Sequence, residues 1–162
     1  MQNKRQADLL AIDPGYQYLA YSIYKDKILI SGGVLKNPID QWATLTKQPP
    51  DFSNISKIFS GYEWSDKKAV IEFPLIHKTT PNPNDIVKLA SASGAYTALL
   101  QHAGFFVEWV EPRTWKGTVP KKIMLKRIIA KLSEEEYSSI NHSRNHNLID
   151  AVGVGLWKIK RL

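Results

Sequence analysis

Leu-Leu-Ala-Ile-Asp-Pro-Gly at residues 9–15, followed closely by Tyr-Leu-Ala-Tyr-Ser-Ile at 18–23, decides the reading of this chain. Leu9 to Ile12 is a short apolar run stopped by Asp13-Pro14-Gly15, a strand ending in a turn. Tyr18 to Ile23 reads as a second strand and Lys27 to Val34 as a third. The connections, around Asp13 to Gln17 and Tyr24 to Lys27, are short and turn-rich. Short connections join antiparallel neighbours, so the spacing predicts a three-stranded meander.

Working outward, Asn37 to Asp66 carries the least pattern and reads as an insertion. Ile39 to Leu45 has room for a turn or two of helix, ended by Pro49-Pro50, and Phe52 to Phe59 for another short helix. Ala69 to Phe73 is a short apolar run with one carboxylate, stopped by Pro74, and reads as a buried strand. His77 to Asn84 is a Pro/Asn loop. Asp85 to His102 has helical period, with Ile86, Leu89, Ala90, Ser93, Tyr96, Thr97 and Leu100 near one face. Gly94 costs that helix stability and so predicts close packing; Gly104 caps it. Phe105 to Val110 is another strand, Lys121 to Leu132 a basic helix, and Asn147 to Lys160 a C-terminal helix. The expectation is one α/β domain over residues 1–162. Its mixed sheet has three antiparallel strands and then parallel ones, flanked by helices.

Composition narrows the function classes. The chain has 162 residues and no cysteine, which excludes a disulfide framework and thiolate zinc. Met1 to Asp8 lacks an apolar signal core, and no apolar run approaches the roughly 20 residues that span a bilayer. These features predict a soluble protein of the cytoplasm with no membrane partner. The formal charge of +7 and a pI near 9.5 point to a polyanionic partner, because basic side chains that neutralise phosphates release counterions.

Three acids stand out against apolar surroundings. Asp13 ends a strand, at a sheet edge where ligands bind in α/β folds; Asp-Pro-Gly is equally an ordinary turn sequence. Glu72 is flanked by Ala69, Val70, Ile71 and Phe73, and a carboxylate on a buried strand is costly unless paired or bound to metal. Asp150 lies among Leu148, Ile149, Ala151 and Val152, with His146 and Asn147 four and three residues before it on nearly one face. Asn145 or Asn147 is a candidate helix cap. Gly153 and Gly155 predict a close approach of this helix to another backbone. Hard divalent cations take oxygen ligands, and two-metal phosphodiester cleavage uses such a carboxylate cluster.

In order along the chain stand Leu-Leu-Ala-Ile-Asp-Pro-Gly at 9–15, Ala-Val-Ile-Glu at 69–72, Glu-Pro-Arg-Thr-Trp-Lys at 111–116 and His-Asn-Leu-Ile-Asp-Ala-Val-Gly-Val-Gly-Leu-Trp at 146–157. The ordered set resembles the RuvC-type Holliday-junction resolvases of the RNase H-like superfamily, most of all the compact phage members. The resemblance implies a crossover-junction endonuclease acting in DNA recombination and repair. It implies Mg²⁺ or Mn²⁺, two ions per site, and catalytic acids at Asp13, Glu72 and Asp150. Asp13 would bridge the ions. The family's further ligand, one turn before the last Asp, falls on Asn147, with His146 as substitute. Water would attack in line and leave a 5′-phosphate.

The same resemblance makes Arg113, Lys116, Lys121, Lys122 and Lys126 candidate DNA contacts, with Arg127 in the same cluster, and Trp115 a packing residue. It implies a homodimer, since a four-way junction has near two-fold symmetry. The helix at 85–102 is a candidate dimer element, and so is its packing on its own sheet. Phe73, Leu75 and His77 lie where a junction-opening wedge is expected. Other branched DNA, such as forks and flaps, and RNA–DNA hybrids are the alternative substrates. A non-catalytic RNase H-like scaffold is the alternative of another class.

Overall fold

A computed structural model describes residues 4–15, 18–36, 52–74, 83–140 and 145–162. The strands are β1 (Arg5–Pro14), β2 (Tyr18–Lys25), β3 (Ile28–Lys36), β4 (Tyr62–Glu72) and β5 (Phe106–Val110). The helices are α1 (Ile55–Ser60), α2 (Pro83–His102), α3 (Pro112–Lys116), α4 (Lys121–Ile129), α5 (Glu134–Ile140) and α6 (His146–Lys158).

The strands form one sheet in the order β3-β2-β1-β4-β5. β1 pairs antiparallel with β2, and β2 with β3. β1 and β4 run parallel, as do β4 and β5. The expected mixed sheet is therefore present. β1 is its middle strand, and Leu9 to Ile12 are all buried. A strand covered on both faces needs this continuous apolar run. The β2–β3 turn is two residues, Asp26 and Lys27, both at positive φ (51° and 66°), the twist that suits a tight hairpin. The Asp8 carboxylate accepts from the Asp26 N–H at 2.8 Å.

One face of the sheet packs on α6: Leu9, Ala11, Tyr24 and Val70 meet Leu148, Val152 and Leu156. The other, with Leu10, Ile12, Ile23 and Ile71, packs on Ala92, Tyr96 and Leu100 of α2 and on α1. The α6 glycines let the helix sit low. A Cβ on Gly155 would fall 2.2 Å from the Tyr24 ring, and one on Gly153 would fall 2.6 Å from Trp115 and from Ile128. The close approach expected of these glycines is thus to side chains rather than to another backbone. Below the helix, Ser22 Oγ and Tyr24 Oη donate to the carbonyls of Ala151 and Val152, each at 2.9 Å.

Several boundaries differ from expectation for identifiable reasons. β4 begins at Tyr62, seven residues before its apolar run. Its first half is polar and held by pairing such as Arg5↔Tyr62 and Gln6↔Glu63, which leaves no apolar periodicity to read. A register shift between Ala7 and Leu9 puts Ala7 on the same face as Leu10. Pro83 and Asn84 belong to the first turn of α2 rather than to a loop, and proline is well suited to a helix start. Among the described residues nothing lies within 4 Å of where a Cβ on Gly94 would be, so none of them supplies the close packing expected there. The short helices α3 and α5 add to the expected elements. The helix turns expected within Ile39–Leu45, and most of the loop expected at His77–Asn84, lie outside the described residues.

Candidate active site

Ile12 pairs with Ile71 across β1 and β4. One residue further on, Asp13 and Glu72 leave the carboxyl ends of adjacent parallel strands. Side chains alternate along a strand, so both carboxylates lie on the face shared by Leu9, Ala11 and Val70, the face covered by α6. Asp150 sits on that helix, next to Ala151, whose carbonyl is tied to Ser22. Ser22 is itself the strand partner of Ala11. The pairing of β1 with β4 and the docking of α6 thus bring the three acids to one end of one sheet face.

The acids act on one another. Asp13 is pushed from 3.8 up to about 8, first by burial, then by the charges of Glu72 and Asp150, against the pull of Lys116 and Lys121. Asp13 keeps partial solvent exposure, yet desolvation leads the shift. Two lysines face the other two acids. Lys116 Nζ lies 3.4 Å from Glu72 Oε2, and Lys121 Nζ lies 3.5 Å from Asp150 Oδ2. Glu72 Oε2 also accepts from Trp115 Nε1 at 2.6 Å. Trp115 therefore packs, as expected, and also donates to an acid of the cluster.

Asn147 and His146 separate clearly. Asn145 is the α6 cap, its Oδ1 accepting from the Asn147 N–H at 3.0 Å. The Asn147 side chain is thus free of the capping role that its position allowed. Its Nδ2 lies 3.7 Å from where a Cβ on Gly15 would stand, two residues from Asp13. His146 is exposed. Gly15 is required in its own right: a Cβ there would sit 2.3 Å from the Tyr18 carbonyl oxygen.

The donor set is all oxygen and carries more negative charge than its surroundings neutralise without the lysines, which fits a hard divalent cation. Among the described residues no three Asp, Glu or His side chains are close enough to form a preformed metal cage. With Glu72 turned to Trp115 and Lys116, and Asp150 to Lys121, closing the site requires these side chains to move off the lysines.

Of the candidate DNA contacts, Arg113, Lys121, Lys122 and Lys126 are exposed and Lys116 is partly so. All lie on α3 or α4, and Lys116 and Lys121 are the two that face the acids. A cleft of about 530 Å³ opens along Trp115, with Lys116, Arg127 and Lys131 in its lining and no acid among its lining residues. Phe73, one residue past Glu72, stacks on Trp109 with ring centroids 4.2 Å apart. Leu75 and His77 lie outside the described residues.

An RNase H-like sheet with three acids at its carboxyl edge is the class that this geometry defines. No protein-family model matches the chain, and no curated protein does. Among solved structures, it is similar to Thermus thermophilus RuvC in complex with Holliday junction substrate. The identity is 18% and the TM-score 0.59, covering 91% of this chain and 89% of that one. A second T. thermophilus RuvC structure is 16% identical with a TM-score of 0.54, over 94% and 96% of the two chains. The yeast mitochondrial Holliday junction resolvase Ydc2 is 15% identical with a TM-score of 0.54, over 99% of this chain and 84% of that one. The chain has the fold of the RuvC-type resolvases. No described helix is long and apolar enough to cross a membrane.

Proposed function

We propose that this chain is a divalent-metal-dependent endonuclease that resolves four-way DNA junctions by paired symmetric nicks. The observation that carries the reading is the gathering of Asp13, Glu72 and Asp150 at one end of one sheet face, where burial and then the charges of Glu72 and Asp150 raise Asp13 to about 8. A resting protein gains nothing from such repulsion, whereas a cation between the acids would relieve it. Asp13, Glu72, Asp150 and the amide oxygen of Asn147 would hold Mg²⁺ or Mn²⁺, which supplies an activated water and offsets charge on the leaving oxygen.

The chain's own residues do the rest. The acids would hold the cations at the sheet edge. Lys116 and Lys121, released from Glu72 and Asp150, then face the phosphate backbone. Arg113, Lys122 and Lys126 extend that contact, positioning the strand without reading bases. We take residues 1–162 as one nuclease domain, and a homodimer to supply the second site that a two-fold junction needs. α2, with Val87 54% exposed and open space beside Gly94, is the candidate contact.

Labelled junction, fork, duplex and RNA–DNA hybrid, each incubated with Mg²⁺ or EDTA, test the proposal. Symmetric nicks in the junction, dependent on Mg²⁺, are expected. Cleavage of forks or hybrids in preference would move the reading to those substrates. Tight junction binding with no metal-dependent cut of any substrate would overturn it in favour of a scaffold. For the fourth ligand, Asn147→Ala is expected to lower metal-dependent turnover by about 10-fold and His146→Ala by much less. The opposite order in a Mn²⁺ titration would reject Asn147.

A further inference from the structure

Trp115 connects Glu72 with the helix that carries Asp150 through one side chain. Its indole Nε1 donates to Glu72 Oε2 at 2.6 Å, and the donor side of that bond is buried, with Trp115 5% exposed. Lys116 Nζ approaches the same oxygen at 3.4 Å and lies 4.8 Å from the Trp115 ring centroid. Among the described residues, the hydrogen bonds to Glu72 fall on Oε2 alone. The far edge of the indole touches α6, where a Cβ on Gly153 would come within 2.6 Å of Trp115 Cζ3. Gly153 is three residues after Asp150, on the same side of the helix one turn along.

We infer that Trp115 is a positioning residue: its indole holds Glu72 by one oxygen and, seated under Gly153, sets the spacing between Glu72 and Asp150. The inference rests on the nuclease reading for its purpose, but its geometry belongs to this chain. An indole N–H has one proton and no acceptor, so it fixes one carboxylate oxygen and leaves Oε1 for a cation. Lys116 has a mobile stem and withdraws readily; the buried indole does not. Groups that orient metal-binding carboxylates in this way cost about 10–100-fold in metal affinity or activity when lost.

The test uses the full chain labelled with ¹⁵N. The sequence holds five tryptophans, and the Trp115 indole resonance is identified by its loss in Trp115→Phe. It is expected to shift strongly in Glu72→Ala and to move on titration with Mg²⁺. In Trp115→Phe, which keeps an aromatic ring under Gly153, the Mg²⁺ midpoint for cleavage should rise about 10–100-fold. Junction affinity in EDTA should stay within about 3-fold, a split that a general folding defect would not produce. Gly153→Ala, which leaves the indole donor intact but crowds it, should also move the resonance and raise the midpoint.

An indole resonance indifferent to Glu72→Ala overturns the inference, as does an unchanged Mg²⁺ midpoint in Trp115→Phe. If Trp115→Phe does not fold, the resonance is assigned by elimination from Phe variants of the other four tryptophans, and the Glu72→Ala and Gly153→Ala spectra decide. The nuclease reading fails separately. A wild-type chain that cuts nothing, yet whose Trp115 resonance follows both Glu72 and Mg²⁺, would retain the positioning role and lose the activity.

Discussion

Asp13→Asn is expected to abolish metal-dependent cleavage, by roughly 10³-fold or more, and at the same time to stabilise the metal-free protein. Both effects have one cause. Burial and the charges of Glu72 and Asp150 raise the Asp13 carboxyl to about 8. A carboxyl raised in the folded state binds its proton more tightly there than when unfolded. Its contribution is therefore most favourable below about pH 4 and is lost as pH rises from about 4 to about 8. Each pH unit inside that window costs up to about 1.4 kcal/mol. Partial exposure tempers the total to about 2–5 kcal/mol near pH 8.

An amide carries no charge to desolvate, so the variant escapes this loss. Thermal unfolding in EDTA should show the melting temperature of the unsubstituted chain falling relative to Asp13→Asn between pH 5 and pH 8. At pH 8 the variant should lead by about 5 °C or more. Mg²⁺ should narrow the gap by stabilising the unsubstituted chain alone. A variant that melts below the unsubstituted chain at pH 8 in EDTA would contradict this account of Asp13.

Arg161→Ala is expected to destabilise the fold by about 3–5 kcal/mol, because it strands a buried carboxylate. Glu136 is only 3% exposed. It accepts from Arg161 Nη1 and Nη2 at 2.5 and 2.8 Å, from the Leu29 N–H at 2.8 Å and from the Ser133 N–H at 2.9 Å. Arg161 also donates to the Lys27 and Lys131 carbonyls, so the pair ties the β2–β3 turn, the end of α4 and the chain's last residues together.

The Arg161 hydrogen bonds, aided by the two backbone N–H groups and opposed by burial, hold Glu136 at about 2, well below the usual 4.5. For a depressed carboxyl the stability is present above the unfolded value and is lost as pH falls through the folded one. Here that amounts to about 3 kcal/mol between roughly pH 5 and pH 2. Urea unfolding across that range should be steeper in pH for the unsubstituted chain than for Glu136→Gln. Parallel pH profiles would show that the pair contributes nothing, and an unchanged urea midpoint in Arg161→Ala would do the same.

How far these features can be read in advance varies with their range along the chain. The strand ending at Asp13 is legible because an apolar run meets Pro14-Gly15. α6 is legible because its apolar positions recur with helical period. α3, at five residues, is too short to show a period. α5 did carry a signal, since Ser133 and Glu136 form a reciprocal cap. The Glu136 N–H donates to Ser133 Oγ, and the Ser133 N–H donates to Glu136 Oε2. That Ser-x-x-Glu spacing marks a helix start. Gly94 misleads because a glycine reports only that a side chain is missing, and the reason for its absence lies in the neighbours.

The acids at 13, 72 and 150, the elements that carry them and the basic stretch from 113 to 127 are determined by the sequence itself. Local periodicity and chain-stopping residues encode them, and no long-range contact is needed to see them. That Asp13 stands beside Glu72, however, follows from β1 pairing parallel with β4. That the α6 glycines seat Trp115 and Tyr24, and that Trp115 turns its indole to Glu72, follows from how the layers pack. The proton affinity of Asp13 follows from both, because desolvation and charge repulsion depend on what surrounds a group in space. No residue's neighbours in the chain specify that surrounding; only the folded sheet and the helix laid across it do.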